Sequence, residues 1–273
     1  MAACSANGRS PSAPVGFFDS GVGGLCVREA FRRRLPHEDT VYIADTANCP
    51  YGNRPAAEIV RLARRHVRAL LARGCKMVVV ACNTATAAAI DDLRATWPDI
   101  PFVGMEPAIK PAILNTKTGV VGVLATAVTF TGELYHKTLE HWRAAQGNVQ
   151  VIEQVGYGLV EAVESGSIHS DETRALLHKY IDPMLEAGAD HIVLGCTHYP
   201  FLTEEIEKIC DGRAVVVNPA PAVARQAVKL YRTTPRTKGE WTFFTSAQFT
   251  TEAQRVIAEL CQGHKYCLQE NIL

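Results

Sequence analysis

Long hydrophobic runs are missing from this chain of 273 residues. The longest, Gly119 to Val128 and Met77 to Cys82, fall far short of the ~18 residues a membrane-spanning helix needs, so a soluble protein with no membrane partner is expected. Net charge is missing as well. Lys plus Arg number 28 and Asp plus Glu 28, so no global field draws in nucleic acid, and no such partner is expected. No Cys-x-x-Cys pair occurs, which removes the usual zinc-knuckle and thioredoxin motifs, and no metal site is read from the sequence. The nine cysteines are odd in number and scattered through a chain large enough to fold without staples, so a disulfide framework is not expected. The first fourteen residues, MAACSANGRSPSAP, have no apolar h-region. They read as a disordered lead-in (1–14) and not a signal peptide, which leaves the chain in the cytoplasm.

What is present alternates. Val15 to Asp19, Thr40 to Asp45, Lys76 to Ala81, Gly119 to Ala125, His191 to Gly195 and Ala214 to Asn218 are short apolar runs bounded by Gly, Pro, Asn or Asp, the pattern of strands buried on both faces of a parallel sheet. Between them Ile59, Leu62, Ala63, Val67, Leu70 and Leu71 recur at helical spacing, after Pro55 and before Gly74. The fold class is α/β. A weak internal repeat sets Leu70–Thr84 over Met184–His198 without a gap, with a cysteine eight residues after a glycine in each (82 − 74 = 196 − 188 = 8). A looser match sets Gly16–Ser20 against Gly122–Thr126. Two similar α/β lobes follow.

Ligands of open α/β sheets bind beyond the carboxyl ends of the strands, where Asp19, Asp45, Cys82, Thr126 and Cys196 fall. If the lobes face each other, Cys82 and Cys196 reach one cleft from opposite sides. A cysteine between a strand and a helix N-terminus meets the positive end of the helix dipole, which is expected to lower its pKa from about 8.5; the alternative is a buried packing thiol. Two opposed thiols suit inversion of a stereocentre, which needs one acid/base group on each face of a carbon. Asp19, before SGVGG, is either a helix cap or a carboxylate assisting Cys82 or holding an ammonium, and Asp45 carries the same ambiguity. Pro50, Tyr51 and Gly52 form a loop whose backbone could hold a polar ligand. His198 could assist Cys196 as base or orienter. Cys49, beside Pro50 and without a repeat partner, is read as structural, and the remaining histidines carry no signal. The glycines of DSGVGG lack dinucleotide spacing and better suit a small carboxylate at a helix N-terminus.

These residues resemble glutamate racemases, cofactor-independent enzymes that make D-glutamate for peptidoglycan. The likeness runs through GFFDSGVGGL, YIADTANCPYGNRP, VVVACNTATAAAI, GMEPAIKPA, VESG, IVLGCTHYPFL and FFTSAQF, from Val15 to the C-terminal helix. It implies that Cys82 and Cys196 are the two acid/base residues, with Asp19, Glu164 and His198 assisting. It also implies substrate contacts at Ser20, Pro50, Tyr51, Gly52, Asn83, Thr84 and Thr197, and a loop through Thr126 and Thr129 that helps hold glutamate. By the same likeness the first lobe comprises 15–104 plus 212–273 and the second 105–211, with crossings near Gly104–Pro107 and Cys210–Gly212. No cofactor is implied, a homodimer is allowed, and His198, where aspartate racemases tend to carry Glu, favours glutamate. The competing expectations are an aspartate or other amino-acid racemase, a two-lobed binding protein that has lost the chemistry, and a redox thiol protein.

Overall fold

The computed structural model of the protein describes residues 10–147, 149–231, 238–247, 251–261 and 267–270. Residues 1–9 of the expected lead-in, and Gln248 and Phe249 of the C-terminal motif, lie outside them. Among the described residues ten strands form two sheets: β1 (Val15–Asp19), β2 (Thr40–Ala44), β3 (Met77–Val80), β4 (Phe102–Gly104), β5 (Val120–Ala125), β6 (Gln150–Val155), β7 (His191–Gly195), β8 (Val215–Val217), β9 (Trp241–Thr245) and β10 (Cys267–Glu270). The first sheet runs β10-β9-β2-β1-β3-β4 and the second β6-β5-β7-β8, and every pairing is parallel.

The order β2-β1-β3-β4 recurs as β6-β5-β7-β8, so the sequence repeat is also a topological one. Its two matched pairs occupy equivalent places: β1 corresponds to β5, and β3, which leads to Cys82, corresponds to β7, which leads to Cys196. Each lobe therefore carries one thiol beyond the carboxyl end of an interior strand.

Strand periodicity explains the layers. Successive side chains point to opposite faces, and Phe18, Val78 and Val80 pack beneath the helices Ala56–Ala72 and Asn83–Thr96 through Ile59, Leu62, Leu70, Ala89 and Leu93. Phe17, Tyr42 and Val79 face the other way, onto Leu25, Val27 and Phe31 of the helix Leu25–Arg32. That second layer is continuous with Leu124, Ile192 and Leu194 of the second sheet, so a single core cluster runs through both lobes and sets where the two strand ends meet. The outer face of the second sheet is closed by Ile109, Ile113, Tyr135 and Leu139.

Two features depart from the sequence reading. Strands β4, β6, β9 and β10 are additional. β4 has only three residues, and β6 lies at a sheet edge, where its polar and half-buried positions hide the apolar signal on which the reading depends. The second crossing also lies later than Cys210–Gly212. Val215–Val217 pairs with His191–Val193 as β8, so the chain leaves the second sheet only after Val217, and the helix Ala220–Leu230 then packs on Leu25–Arg32. Cys210–Gly212 is the turn feeding β8, with Asp211 in the left-handed region at φ 44°.

The helix Asn83–Thr96 begins immediately after Cys82 and is held to the sheet by Leu93, which is 0% exposed, whereas Leu114 is 40% exposed. Leu93→Ala is expected to cost about 2–5 kcal/mol through lost burial and the cavity left behind. Leu114→Ala is expected to cost less than about 0.5 kcal/mol. Urea unfolding midpoints measure both, and equal losses would contradict this description of the core.

Candidate active site

The first thiol is built by the end of β3. Cys82 is the N-cap of the helix Asn83–Thr96, where its Sγ accepts from the Ala85 amide at 3.4 Å and lies 3.8 Å from Ser20 Oγ. Asp19, at the end of β1, is 0% exposed; its Oδ2 accepts from the Gly24 amide at 2.8 Å, and its carboxylate accepts from Thr197 Oγ1 of the other lobe at 3.3 Å. Burial raises Asp19 above the usual carboxylate range, against the opposing influence of His198 and the Gly24 amide. The Cys82 thiol is not lowered as the sequence reading expected. Burial pushes it well above an ordinary thiol, and the neighbouring Asp19 carboxylate and Cys196 push the same way, outweighing the Ala85 amide at the helix N-terminus.

The second thiol follows β7. Cys196 leads into a 3₁₀ turn, Tyr199–Leu202, that runs on as the helix Thr203–Cys210. Its Sγ lies 3.7 Å from His198 Nδ1, and the other ring nitrogen, Nε2, lies 2.6 Å from Glu164 Oε1. Glu164 Oε1 also accepts from the Val22 amide at 2.8 Å, so this carboxylate spans from its own lobe to the glycine-rich turn of the first. Burial opposes the charge on both partners. The contacts with Cys196, Cys49 and Glu164 nevertheless raise His198 well above an ordinary imidazole, and His198 and the Val22 amide hold Glu164 below the usual carboxylate range. The glycines make room for this pair: a Cβ on Gly21 would stand 1.9 Å from Glu164 Oε1, and one on Gly23 would stand 2.6 Å from His198 Nδ1.

The lobes also meet through hydroxyls. Thr84 Oγ1 lies 2.9 Å from Thr126 Oγ1, which lies 2.9 Å from Thr129 Oγ1. Asn83 is 3% exposed, and neither end of its side-chain amide has a partner among the described residues. A buried amide left unpaired costs about 1–3 kcal/mol, so a polar ligand is the natural complement to it. Gly52 approaches Thr126, to which an added Cβ would stand 3.1 Å, and Pro50 lines a groove with Gly52, Asn53 and Thr126. Tyr51 is buried, and its hydroxyl donates to Asp45 at 2.5 Å, so it fixes the loop from behind.

Asp45 thereby loses its ambiguity. It also accepts from Ser246 Oγ at 2.7 Å and Asn48 Nδ2 at 2.9 Å, and its Oδ2 lies 2.9 Å from His66 Nε2. Burial would raise Asp45, but His66, Ser246 and Tyr51 hold it well below the usual carboxylate range. This network ties the Pro50–Gly52 loop to β9, and sequence spacing had given no sign of His66 or Ser246. Cys49, read as structural, has its thiol beside His198 and Glu164.

Residues 25–227 match the family of Asp/Glu/Hydantoin racemases. The chain is 51% identical to a glutamate racemase of Roseiflexus sp. (strain RS-1) over 217 residues, 80% of this chain and 79% of that one. Its fold superposes on the crystal structure of glutamate racemase isoform RacE1 from Bacillus anthracis with a TM-score of 0.83 at 29% identity, covering 95% of this chain and 97% of that one. The glutamate racemase of Francisella tularensis in complex with D-glutamate gives a TM-score of 0.82 at 25% identity, covering 96% and 98%. No helix among the described residues is long and apolar enough to cross a membrane.

The His198–Glu164 contact can be tested by titration. Glu164→Gln removes the charge that favours the imidazolium, so the His198 pKa is expected to fall, read from the pH midpoint of its ring-proton NMR shifts. An unmoved midpoint would mean that Glu164 does not set the protonation of His198.

Proposed function

Because the chain belongs to the Asp/Glu/Hydantoin racemase family, we propose that it is a cofactor-independent glutamate racemase that moves the Cα proton between two thiols, Cys82 on one face and Cys196 on the other. The observation that carries this reading is the placement of two buried thiols beyond equivalent strands of two repeated lobes, each with its own acid/base neighbour. Inversion at Cα requires one group to take a proton and another, on the opposite face, to return one. For L-glutamate, Cys196 as thiolate takes the proton while Cys82 as thiol supplies one; the C–H bond on one face is exchanged for a C–H bond on the other, and the two sulfurs exchange protonation states. D-glutamate runs the cycle in reverse. A Cys82 thiol pushed up by burial fits the donor role in the L-to-D direction.

The neighbours divide the remaining work. His198, oriented by Glu164, takes up and returns the proton at Cys196, and Asp19 does so at Cys82 while facing the substrate ammonium. Asn83 supplies the unpaired amide, and Ser20, Thr84, Thr126, Thr129, Thr197 and the Pro50–Gly52 loop hold the two carboxylates. The product suits peptidoglycan synthesis in the cytoplasm.

The decisive measurement is incubation with L- or D-glutamate in deuterated water, following circular dichroism and Cα deuteration by NMR. Both enantiomers are expected to exchange and to converge on the racemate. Cys82→Ser and Cys196→Ser, each leaving one face with a far weaker acid, are expected to reduce racemisation by ~10²–10⁴-fold. A Cys196→Ser protein within tenfold of the parent would overturn the two-thiol assignment.

A further inference from the structure

Cys49 is neither of the two thiols proposed to carry the proton, yet its thiol belongs to a compact group. Its Sγ, a carboxylate oxygen of Glu164 and a ring nitrogen of His198 all lie within 4.8 Å of one another, the one such cluster of potential metal ligands among the described residues. The three come from separate parts of the chain: the turn after β2, the end of the helix Leu159–Glu164, and the turn after β7. Sequence spacing therefore gives no metal motif.

We propose that Cys49, Glu164 and His198 form a binding site for a zinc-class divalent cation at the edge of the catalytic cleft, and that its occupation arrests racemisation. The donor set is one sulfur, one imidazole nitrogen and one carboxylate oxygen, the combination that a borderline-soft ion such as Zn²⁺ accepts. Charge also balances, since a divalent ion bound by one thiolate, one carboxylate and a neutral imidazole leaves no net charge in a largely buried place. From bond lengths of about 2.0–2.3 Å, donor atoms on one zinc ion stand about 3–4 Å apart, so an ion would part His198 Nε2 and Glu164 Oε1, now at 2.6 Å, by roughly 1 Å and draw the Cys49 sulfur in from within 4.8 Å. Three ligands leave a fourth position for water.

The surroundings allow access. Glu164 keeps 21% of its side chain exposed and Cys49 is half-buried, so the ion has a route in, whereas His198 is 1% exposed and forms the inner wall. The floor is bare backbone: a Cβ on Gly21 would collide with Glu164 and stand 3.2 Å from the Cys49 sulfur. Arrest follows from what the ion takes. A metal bond on either ring nitrogen would hold His198 as a neutral imidazole, so it could no longer take up and return the proton at Cys196. That consequence rests on the racemase reading; binding itself does not.

The test uses the purified full-length chain. Co²⁺ reports a thiolate ligand by charge-transfer absorption in the near ultraviolet, and Zn²⁺ should displace it. The expected result is one Co²⁺ bound per chain with this band, and racemisation slowed by Zn²⁺ and restored by EDTA. Cys49→Ala and the isosteric Cys49→Ser should lose the band and, each measured against its own metal-free rate, need at least about tenfold more Zn²⁺ for half-inhibition. A band that persists in both variants would assign the metal to other thiols and overturn the proposal, as would absence of binding by the parent chain. A parent chain inactive on glutamate, but with a band that both variants abolish, would uphold the metal site and remove the racemase reading instead.

Discussion

Placing an imidazole and a carboxylate where water hardly reaches obliges them to pair, and the 2.6 Å contact between His198 and Glu164 is the pairing on which the rest of the site depends. An unpaired charge in such a place costs several kcal/mol. Glu164 meets this constraint and a second one, because the Val22 amide it accepts belongs to the opposite lobe. One side chain thus sets the orientation of the His198 ring, and with it the Nδ1 that faces Cys196, while fixing the glycine-rich turn that follows Asp19. The glycines of that turn are a steric necessity: at Gly21 and Gly23 a methyl group would occupy space already filled by Glu164 and His198.

How much of this was legible in the sequence follows from which signals are local. Apolar runs announce parallel strands, so the buried β1, β2, β3, β5 and β7 and the all-valine edge strand β8 could be read to within a residue or so, and the thiols could be placed at strand ends. The gapless repeat around Gly74 and Gly188 identified the interior strands of both sheets because a glycine turn and a buried strand are short-range features. Contacts between distant segments leave no such trace. Asp45 joins His66, Tyr51 and Ser246 from three separate elements, and nothing in the spacing of these residues distinguishes that network from ordinary surface polarity. Glu164 entered only through family resemblance, and the neighbours of Cys49 left no trace for the same reason: they are contributed by tertiary structure. The later second crossing has a related cause, since the strand Val215–Val217 carries no local sign of which sheet it joins.

The two-fold repetition of the fold gives its two equivalent thiols chemically different neighbours. Both sheets present a cysteine beyond the strand next to β1 or its counterpart β5, yet the first lobe surrounds its thiol with a carboxylate and a serine, the second with an imidazole. His198 is paired with Glu164 at 2.6 Å, whereas Asp19 is met by the Gly24 amide and by Thr197 of the other lobe, and the Thr197–Asp19 and Thr84–Thr126 contacts join the halves.

The raised Cys82 thiol completes this account of charge. With the cleft empty, a thiolate there would stand beside the Asp19 carboxylate in a site that excludes water, and each anion would raise the cost of the other. A helix N-terminus contributes at most a fraction of a positive charge, less than the desolvation of a buried sulfur anion demands. His198 opposes the rise of Asp19, but no positive charge stands among the main influences on Cys82. On the racemase reading the substrate brings one, its α-ammonium, and the same charge that favours deprotonation of the thiol acidifies the neighbouring Cα–H. Thiolate formation at Cys82 is then coupled to the arrival of the molecule it acts on. The helix N-terminus that the sequence reading expects to lower the Cys82 thiol still orients it through the Ala85 amide, but does not outweigh burial and the Asp19 carboxylate.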